Sequence, residues 1–237
     1  MDYFYTTPDL ITAEELLITG DEFSHLTHVM RKKVGDSLRV VDGRGSTYDV
    51  VISDIATRTA RCTIRQTHAR LHEPVVNVTL AVALLKNASR FDILVEKSTE
   101  IGVASIIPLL TERTIGQHAR VDRWQKLAFA AMKQSGRSVL PTIHRPRQFR
   151  EFVTAPLEGD LRLLPDEHHH EPLLADVLRR NKGSSAVICI GPEGGFTDEE
   201  ITLANTSGFT VVSLGPRRLR TETAAIIAAG FVLLGQS

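Results

Sequence analysis

Two glycine-bearing segments near the carboxyl end carry the residues best suited to hold a ligand and act on it. The first, residues 190–197, reads IGPEGGFT, and the second, residues 214–224, reads LGPRRLRTETA. Loops without bulky side chains let backbone amides and carbonyls approach a ligand directly. The second segment adds Arg220, a cation that can stabilise developing negative charge, and Glu222, which can accept a proton or orient Arg220. Two such loops in series favour a ligand site over two simple turns.

Each of these loops is predicted to join a buried strand to a helix. Short apolar runs at 185–190 and 210–214 precede the loops, and runs of this length bounded by Gly-Pro are typical of buried strands. Thr197 and Glu200 have the spacing of a capping box, and Thr221 is suited to cap the last helix. In open α/β sheets, ligands bind at the carboxyl ends of strands, where both loops would lie.

Strands and helices alternate from residue 75 onward. Apolar runs predict strands at 75–85, 104–110 and 161–164, and helical periodicity predicts helices at 90–101, 121–135 and 173–180. This alternation indicates an α/β domain with a mostly parallel sheet covered on both faces.

The first 70 residues are predicted to be mostly β. Segments 37–41 and 47–52 flank an Asp-Gly-Arg-Gly turn, residues 59–67 alternate as a half-buried strand does, and residues 21–30 form a short helix. Several short strands with one helix suggest a small barrel. The polar stretch before Pro74 marks the domain boundary.

Composition and charge narrow the class of protein. The chain has 237 residues and zero formal net charge, but residues 74–151 carry a net charge of +6 (12 basic, 6 acidic). A basic middle third suits contact with a polyanion. No apolar run is long enough to cross a membrane. Cys62 and Cys189 lie in apolar runs and are expected to be free buried thiols of a cytoplasmic protein.

The sequence lacks the motifs that are typical of several other enzyme classes. The sequence has no P-loop lysine motif, Gly-x-Gly-x-x-Gly or Gly-x-Ser-x-Gly. The run at 168–170 consists of three histidines, for which an exposed loop is favoured over a metal site, and no metal is expected. Basic side chains at the ends of predicted elements could grip phosphates: Lys86, Arg90, Lys97, Arg113 and Arg137.

The chain resembles the RsmE-type 16S ribosomal RNA uridine N3-methyltransferases, in the SPOUT class. The two glycine loops carry the strongest likeness. Supporting motifs lie within residues 86–103, 108–113 and 134–137, and residues 28–31 read HVMR, similar to the family's His-Val-Leu-Arg. The motifs are individually weak and jointly specific, and together they cover nearly the whole chain.

The resemblance implies a fold, a partner and a reaction. The fold is α/β, with a PUA-like β-barrel RNA-binding domain at 1–72 and a SPOUT methyltransferase domain at 73–237 that contains a trefoil knot within about 160–237. The protein would act as a homodimer on 16S rRNA in the small ribosomal subunit. It would use S-adenosylmethionine to methylate N3 of the decoding-region uridine U1498.

The resemblance also implies site residues. Three loops would bind the cofactor through Leu164, Pro165, Ile190, Gly191, Pro192, Glu193, Gly195, Leu214, Gly215, Leu219, Thr221, Thr223 and Ala224. Arg220 and Glu222 are the candidate catalytic residues, because deprotonation of N3 spreads negative charge onto the flanking carbonyl oxygens. RNA contact is expected from Arg31, Lys32, Lys33, Lys86, Arg90, Lys97, Arg113 and Arg137.

Two alternatives stay open at the level of the sequence. One is a SPOUT methyltransferase that modifies another RNA position or another atom, such as a ribose hydroxyl. The other is a non-catalytic RNA-binding or ribosome-assembly module, which would have no use for two glycine loops and would not bind S-adenosylmethionine.

Overall fold

The computed structural model describes residues 3–116, 118–157 and 159–235. The chain divides into two compact units. The first contains the described residues up to Glu73 together with 132–140, and the second contains 74–131 and 141 to the carboxyl end. Chain order alone did not predict that 132–140 belongs with the amino-terminal unit.

The first unit is built on a five-stranded sheet. Its strands are β1 (Tyr3–Tyr5), β2 (Glu15–Thr19), β3 (Ser37–Val41), β4 (Ser46–Ile55) and β5 (Thr59–Ala69), in the order β1-β3-β4-β5-β2. Only the β1–β3 pairing is parallel, and the predicted β3–β4 hairpin is confirmed. The predicted helix at 21–30 is α1 (Gly20–Ser24), which continues as a π-helix at His25–Val29.

A buried carboxylate joins two segments of this first unit. Glu73 accepts hydrogen bonds from the Arg137 guanidinium and from the backbone N–H groups of Ser138 and Val139. The Glu73 and Arg137 side chains are 1% and 4% exposed. The Arg137 guanidinium is thus buried against Glu73 in this structure, and a contact of Arg137 with RNA stays a prediction.

The second unit contains an all-parallel sheet of seven strands. These are β6 (Asn77–Ala83), β7 (Ser105–Leu110), β8 (Thr142–Ile143), β9 (Arg147–Gln148), β10 (Leu161–Pro165), β11 (Ser185–Ile190) and β12 (Thr210–Val212). The order is β12-β10-β11-β6-β7-β8, with β9 also beside β7. Its helices are α2 (Ala88–Ile101), α3 (Val121–Ser135), α4 (Phe149–Thr154), α5 (Leu174–Arg180), α6 (Asp198–Thr206) and α7 (Thr221–Gly235), of which α3 has its last four residues, 132–135, in the first unit. The α/β class is thus confirmed, and the knot stays a prediction.

Local sequence accounts for where the key helices begin and end. The Asn87 side chain accepts from the Ser89 N–H and starts α2, and Gly102, at φ 108°, ends it. The predicted capping box at Thr197 and Glu200 is confirmed and starts α6 directly after the first glycine loop. These caps satisfy backbone groups that a helix end would otherwise leave unpaired, so they fix where each neighbouring loop must turn.

The apolar interior holds both cysteines. Cys62 and Cys189 are free and buried, as predicted. Burial raises the pKa of the Cys62 thiol to about 12, so the reactive thiolate is disfavoured there. Within the described part of the chain, no helix is both long and apolar enough to span a bilayer.

Candidate active site

One pocket of the second unit lies where loops leave the carboxyl ends of neighbouring strands. Strands β10 and β11 are adjacent, β12 lies beside β10 and β6 beside β11, so the segments that follow these strands meet at one edge of the sheet. The pocket has a volume of about 340 Å³. It is lined by Arg90, Pro165, Asp166, Glu167, Ile190, Gly191, Pro192, Glu193, Gly195, Phe196, Arg218, Leu219, Arg220, Thr221 and Ala224.

The first glycine loop, residues 191–196, accepts hydrogen bonds from residues that follow β6 and β7. Nη1 of Arg113, which follows β7, donates to the carbonyl oxygens of Gly194 at 2.8 Å and Phe196 at 3.2 Å. The Lys86 backbone N–H donates to Oε1 of Glu193 at 3.3 Å. Gly195 has a φ of 71°, which favours glycine, and a Cβ there would meet no atom within 4 Å. The loop therefore offers open backbone to the pocket.

The second glycine loop, residues 214–220, brings a guanidinium to the same pocket. Gly215 has a φ of 105° and its N–H donates to Oγ of Ser213 at 3.2 Å. Arg220 lines the pocket, and its exposed guanidinium has no hydrogen-bonding or ionic partner among the described residues. An uncommitted cation at a pocket wall can stabilise negative charge on a ligand.

Arg90, which lines the pocket, forms a charged pair with Glu222, which does not line it, and chain order did not predict this pair. Nε of Arg90 lies 3.7 Å from Oε1 of Glu222, and its Nη1 lies 4.0 Å from Oε1 of Glu193. Glu222 is 8% exposed, and its Oε2 atom has no hydrogen-bond partner within the described chain. Glu222 therefore lies beside Arg90, and its predicted roles, to accept a proton or to orient Arg220, stay predictions.

A third loop, after β10, supplies side chains that the sequence prediction missed. Asp166 directly follows the strand and is buried, and its Oδ2 lies 2.8 Å from Nδ1 of His169. Oε2 of Glu167 lies 2.9 Å from Nε of Arg218. The position of Asp166, one residue past a strand that ends at a predicted ligand loop, was the signal that could have identified it.

Most of the predicted cofactor residues lie together. Nine line the main pocket, namely Pro165, Ile190, Gly191, Pro192, Glu193, Gly195, Leu219, Thr221 and Ala224. Leu214 and Gly215 line an adjoining pocket of about 60 Å³. Leu164 is fully buried in the core, and neither it nor Thr223 lines either pocket. Helix α7 begins at Thr221, so this residue is its first helical residue and not its cap.

The residues predicted to contact RNA have different environments. Arg31 and Lys33 are exposed and Lys32 is partly exposed in the first unit, and Lys86 is exposed in the second. Arg90 lines the pocket, and Nζ of Lys97 is paired with Glu96 and Glu100 at 2.8 and 2.7 Å. Arg113 is exposed but also holds the first glycine loop. No cluster of three or more potential metal ligands occurs in the described ranges.

Comparison with known proteins places this architecture in a family. The family model for an RNA methyltransferase domain matches residues 72–233, and that for an RNA methyltransferase PUA domain matches residues 18–65. The ribosomal RNA small subunit methyltransferase E of Synechocystis sp. is 36% identical over 225 residues, which are 93% of this chain and 73% of the relative. That of Bacillus subtilis is 27% identical over 234 residues, covering 94% and 91%.

A solved structure has the same fold. The ribosomal RNA small subunit methyltransferase E from Neisseria gonorrhoeae, bound to S-adenosyl methionine, superposes with a TM-score of 0.85 at 29% identity, covering 97% of this chain and 95% of that one. Since the family models, the relatives and this structure agree, the chain belongs to the RNA methyltransferase family that includes the ribosomal RNA small subunit methyltransferases E.

Proposed function

We propose that this protein uses S-adenosylmethionine to methylate N3 of a uridine in 16S ribosomal RNA of the small subunit, the decoding-region uridine U1498. The observation that carries the proposal is a pocket in which open glycine backbone meets the guanidinium of Arg220, which has no partner among the described residues. Methyltransferase chemistry on ribosomal RNA is supported by the names of the relatives. The choice of N3 rests on the resemblance and on the chemistry of the pocket.

The pocket suits an adenosyl ligand in size and lining. Its volume of about 340 Å³ lies in the range of small-molecule sites. Ile190 and Leu219 supply apolar walls, and the two glycine loops, residues 191–196 and 214–220, supply backbone donors and acceptors. When bound, S-adenosylmethionine supplies a methyl group on a sulfonium centre. The protein must then exclude water, orient the nucleobase and manage the N3 proton.

Three charged residues at or near the pocket are assigned different roles in this reaction. Arg220 stabilises the negative charge that develops on the uracil ring as N3 loses its proton. Glu222 is the candidate proton acceptor, because its Oε2 atom is buried without a partner among the described residues. Arg90, which lines the pocket and lies 3.7 Å from Glu222, is the residue proposed to position that carboxylate.

Arg113 is expected to influence cofactor affinity by holding the first glycine loop. Replacing Arg113 with Ala removes a charged donor to the Gly194 and Phe196 carbonyl oxygens. A hydrogen bond to a charged group is worth about 1.5–3 kcal/mol, and without it the loop should adopt its binding conformation less often. Affinity for S-adenosylmethionine should therefore fall by about tenfold. Isothermal titration calorimetry measures this loss, with Arg179→Ala, an exposed arginine on α5, as the control. Unchanged affinity of Arg113→Ala would contradict the role.

RNA would be held by cations of both units. We assign RNA binding to the amino-terminal domain, residues 1–72, through Arg31, Lys32 and Lys33, and to Lys86, Arg90, Lys97 and Arg113 of the methyltransferase domain, residues 73–237. RNA backbone contacts release counterions, so affinity should fall steeply with added salt.

The salt dependence can be measured on a variant of the first unit. Replacing Arg31, Lys32 and Lys33 together with Ala should reduce the slope of log affinity against log salt by about 2–3, roughly one unit for each lost phosphate contact. Fluorescence anisotropy with a 16S rRNA fragment reports the slope, and calorimetry should show unchanged affinity for S-adenosylmethionine. A flat salt response of the wild type would count against RNA binding of this kind.

A second copy of the chain is the proposed partner of the exposed end of α7. Phe231 and Leu234 are three residues apart, hence on one helix face, and are 52% and 81% exposed. A double Phe231→Ser, Leu234→Ser variant should sediment as a monomer at concentrations where the wild type is a dimer. Val75→Ser, which removes another exposed hydrophobic side chain (79% exposed), is the matched control. A monomeric wild type would exclude the homodimer.

One assay separates this function from its alternatives. Small subunits lacking the modification are treated with the protein and labelled S-adenosylmethionine, and the methyl group is mapped by mass spectrometry. N3-methyluridine in the decoding region supports the proposal. A methyl group on another atom or nucleotide points to a different RNA methyltransferase, and failure to bind S-adenosylmethionine points to a non-catalytic RNA-binding module.

A further inference from the structure

Asp166 is a buried carboxylate at the pocket that none of the roles above uses. Its side chain is 2% exposed, although the residue lines both the main and the adjoining pocket. Its backbone N–H donates to the Val212 carbonyl oxygen at 3.0 Å, which fixes the residue between β10 and β12. A carboxylate in such a place needs hydrogen-bond donors.

All the donors that the described residues provide to this carboxylate lie on one oxygen. Oδ2 accepts from the His168 backbone N–H at 2.9 Å and lies 2.8 Å from Nδ1 of His169. Because an ionised carboxylate only accepts, the imidazole must donate through Nδ1. Oδ1 has no partner within the described part of the chain. The neighbouring Glu167 differs, since its carboxylate is 2.9 Å from the Arg218 guanidinium.

Asp166 lies at the junction of two pockets with different linings. The adjoining pocket of about 60 Å³ is lined by Pro165, Leu214, Gly215, Leu219 and Ala224, beside the charged Glu167 and Arg217. The apolar residues suit a flat group whose edges backbone groups can bind. The main pocket contains the charged side chains of Arg90, Glu193 and Arg220. An adenosyl ligand with its base in the first and its charged end in the second would have its sugar beside Asp166.

We propose that Asp166 determines specificity for the ribose of the cofactor: Oδ1 accepts a hydrogen bond from a ribose hydroxyl, and His169 is the positioning residue that holds the carboxylate. This inference rests on the proposed function. Hydrogen bonds from a hydroxyl to a carboxylate are short and strong. In dinucleotide-binding folds, an acidic side chain likewise accepts a hydrogen bond from a ribose hydroxyl. A site built to bind a hydroxyl also rejects the analogue that lacks it, because the buried acceptor is left unpaired.

The test combines a change in the protein with a change in the ligand. Affinities of the full-length protein for S-adenosylhomocysteine and for its 2′-deoxy and 3′-deoxy analogues are measured by calorimetry. The wild type should bind one of the two analogues about 10–100-fold more weakly than S-adenosylhomocysteine. Asp166→Ala should bind S-adenosylhomocysteine and that analogue equally weakly, so the two changes are not additive. Additive effects, or a wild type indifferent to both hydroxyls, would overturn the proposal.

Two variants of His169 and one truncated ligand test which group of the cofactor the carboxylate binds. His169→Ala should lose part of the same discrimination, and His169→Asn, which keeps a donor, should recover some of it. If Asp166→Ala weakens S-adenosylhomocysteine but not 5′-methylthioadenosine, the carboxylate reads the amino-acid ammonium group and the ribose assignment fails. The wild-type measurement distinguishes failure of the proposed function from failure of this inference. No binding of S-adenosylhomocysteine refutes the proposed function, whereas binding without discrimination between the hydroxyl and deoxy ligands refutes only this inference.

Discussion

Arg220→Ala is expected to lower kcat for methyl transfer by about 10²–10³-fold, because it removes the cation aimed at charge that develops on the uracil ring. The Arg220 guanidinium lines the pocket and has no partner among the described residues, so its removal leaves no buried group unpaired. Affinity for S-adenosylmethionine should therefore change little, by less than about threefold. Single-turnover assays on small subunits and calorimetry measure the two effects separately.

Two comparisons sharpen this prediction. Arg220→Lys keeps a positive charge without the planar fork of donors, so its rate should fall between those of the wild type and Arg220→Ala. Arg179→Ala removes an arginine that is 75% exposed on α5 and should leave the rate unchanged. Full activity of Arg220→Ala would refute the catalytic assignment, and an equal loss of cofactor affinity would reassign Arg220 to cofactor binding.

Glu73→Ala is expected to destabilise the first unit by about 3–5 kcal/mol, because it removes one partner of a buried ion pair. Its carboxylate accepts from the Arg137 guanidinium and from the Ser138 and Val139 N–H groups, all of which lose their acceptor. Unfolding should be followed by far-UV circular dichroism, because the single tryptophan, Trp124, belongs to the second unit. Amide hydrogen exchange at Ser138 and Val139 should accelerate.

The matched control is an exposed ion pair of the same unit. Arg61 and Glu15 are 2.8 Å apart and their side chains are 54% and 40% exposed. Exposed pairs contribute at most about 1 kcal/mol, so Glu15→Ala should shift the unfolding midpoint far less than Glu73→Ala. Equal shifts for the two variants would show that burial of the Glu73–Arg137 pair does not determine its contribution.

Local patterns in the sequence determined several elements and much of the pocket. The Asp-Gly-Arg-Gly turn predicted the β3–β4 hairpin, and Thr197 with Glu200 predicted the start of α6. Each signal acts between residues a few positions apart, so it can be read without knowing the fold. The strand–glycine loop–helix pattern placed Gly191 and Gly195 at a carboxyl edge of the sheet for the same reason.

Only the tertiary structure decided which distant charges meet. Arg90 and Glu222 are paired through the packing of α2 and α7, Arg137 is buried against Glu73, and Asp166 is placed by the pairing of β10 with β11 and β12. The sequence alone does not show whether a charged side chain is exposed or buried, because its burial depends on partners that are remote in sequence. The sequence by itself therefore determined the elements and the open backbone of the site, whereas strand order and helix packing decided its charged contacts.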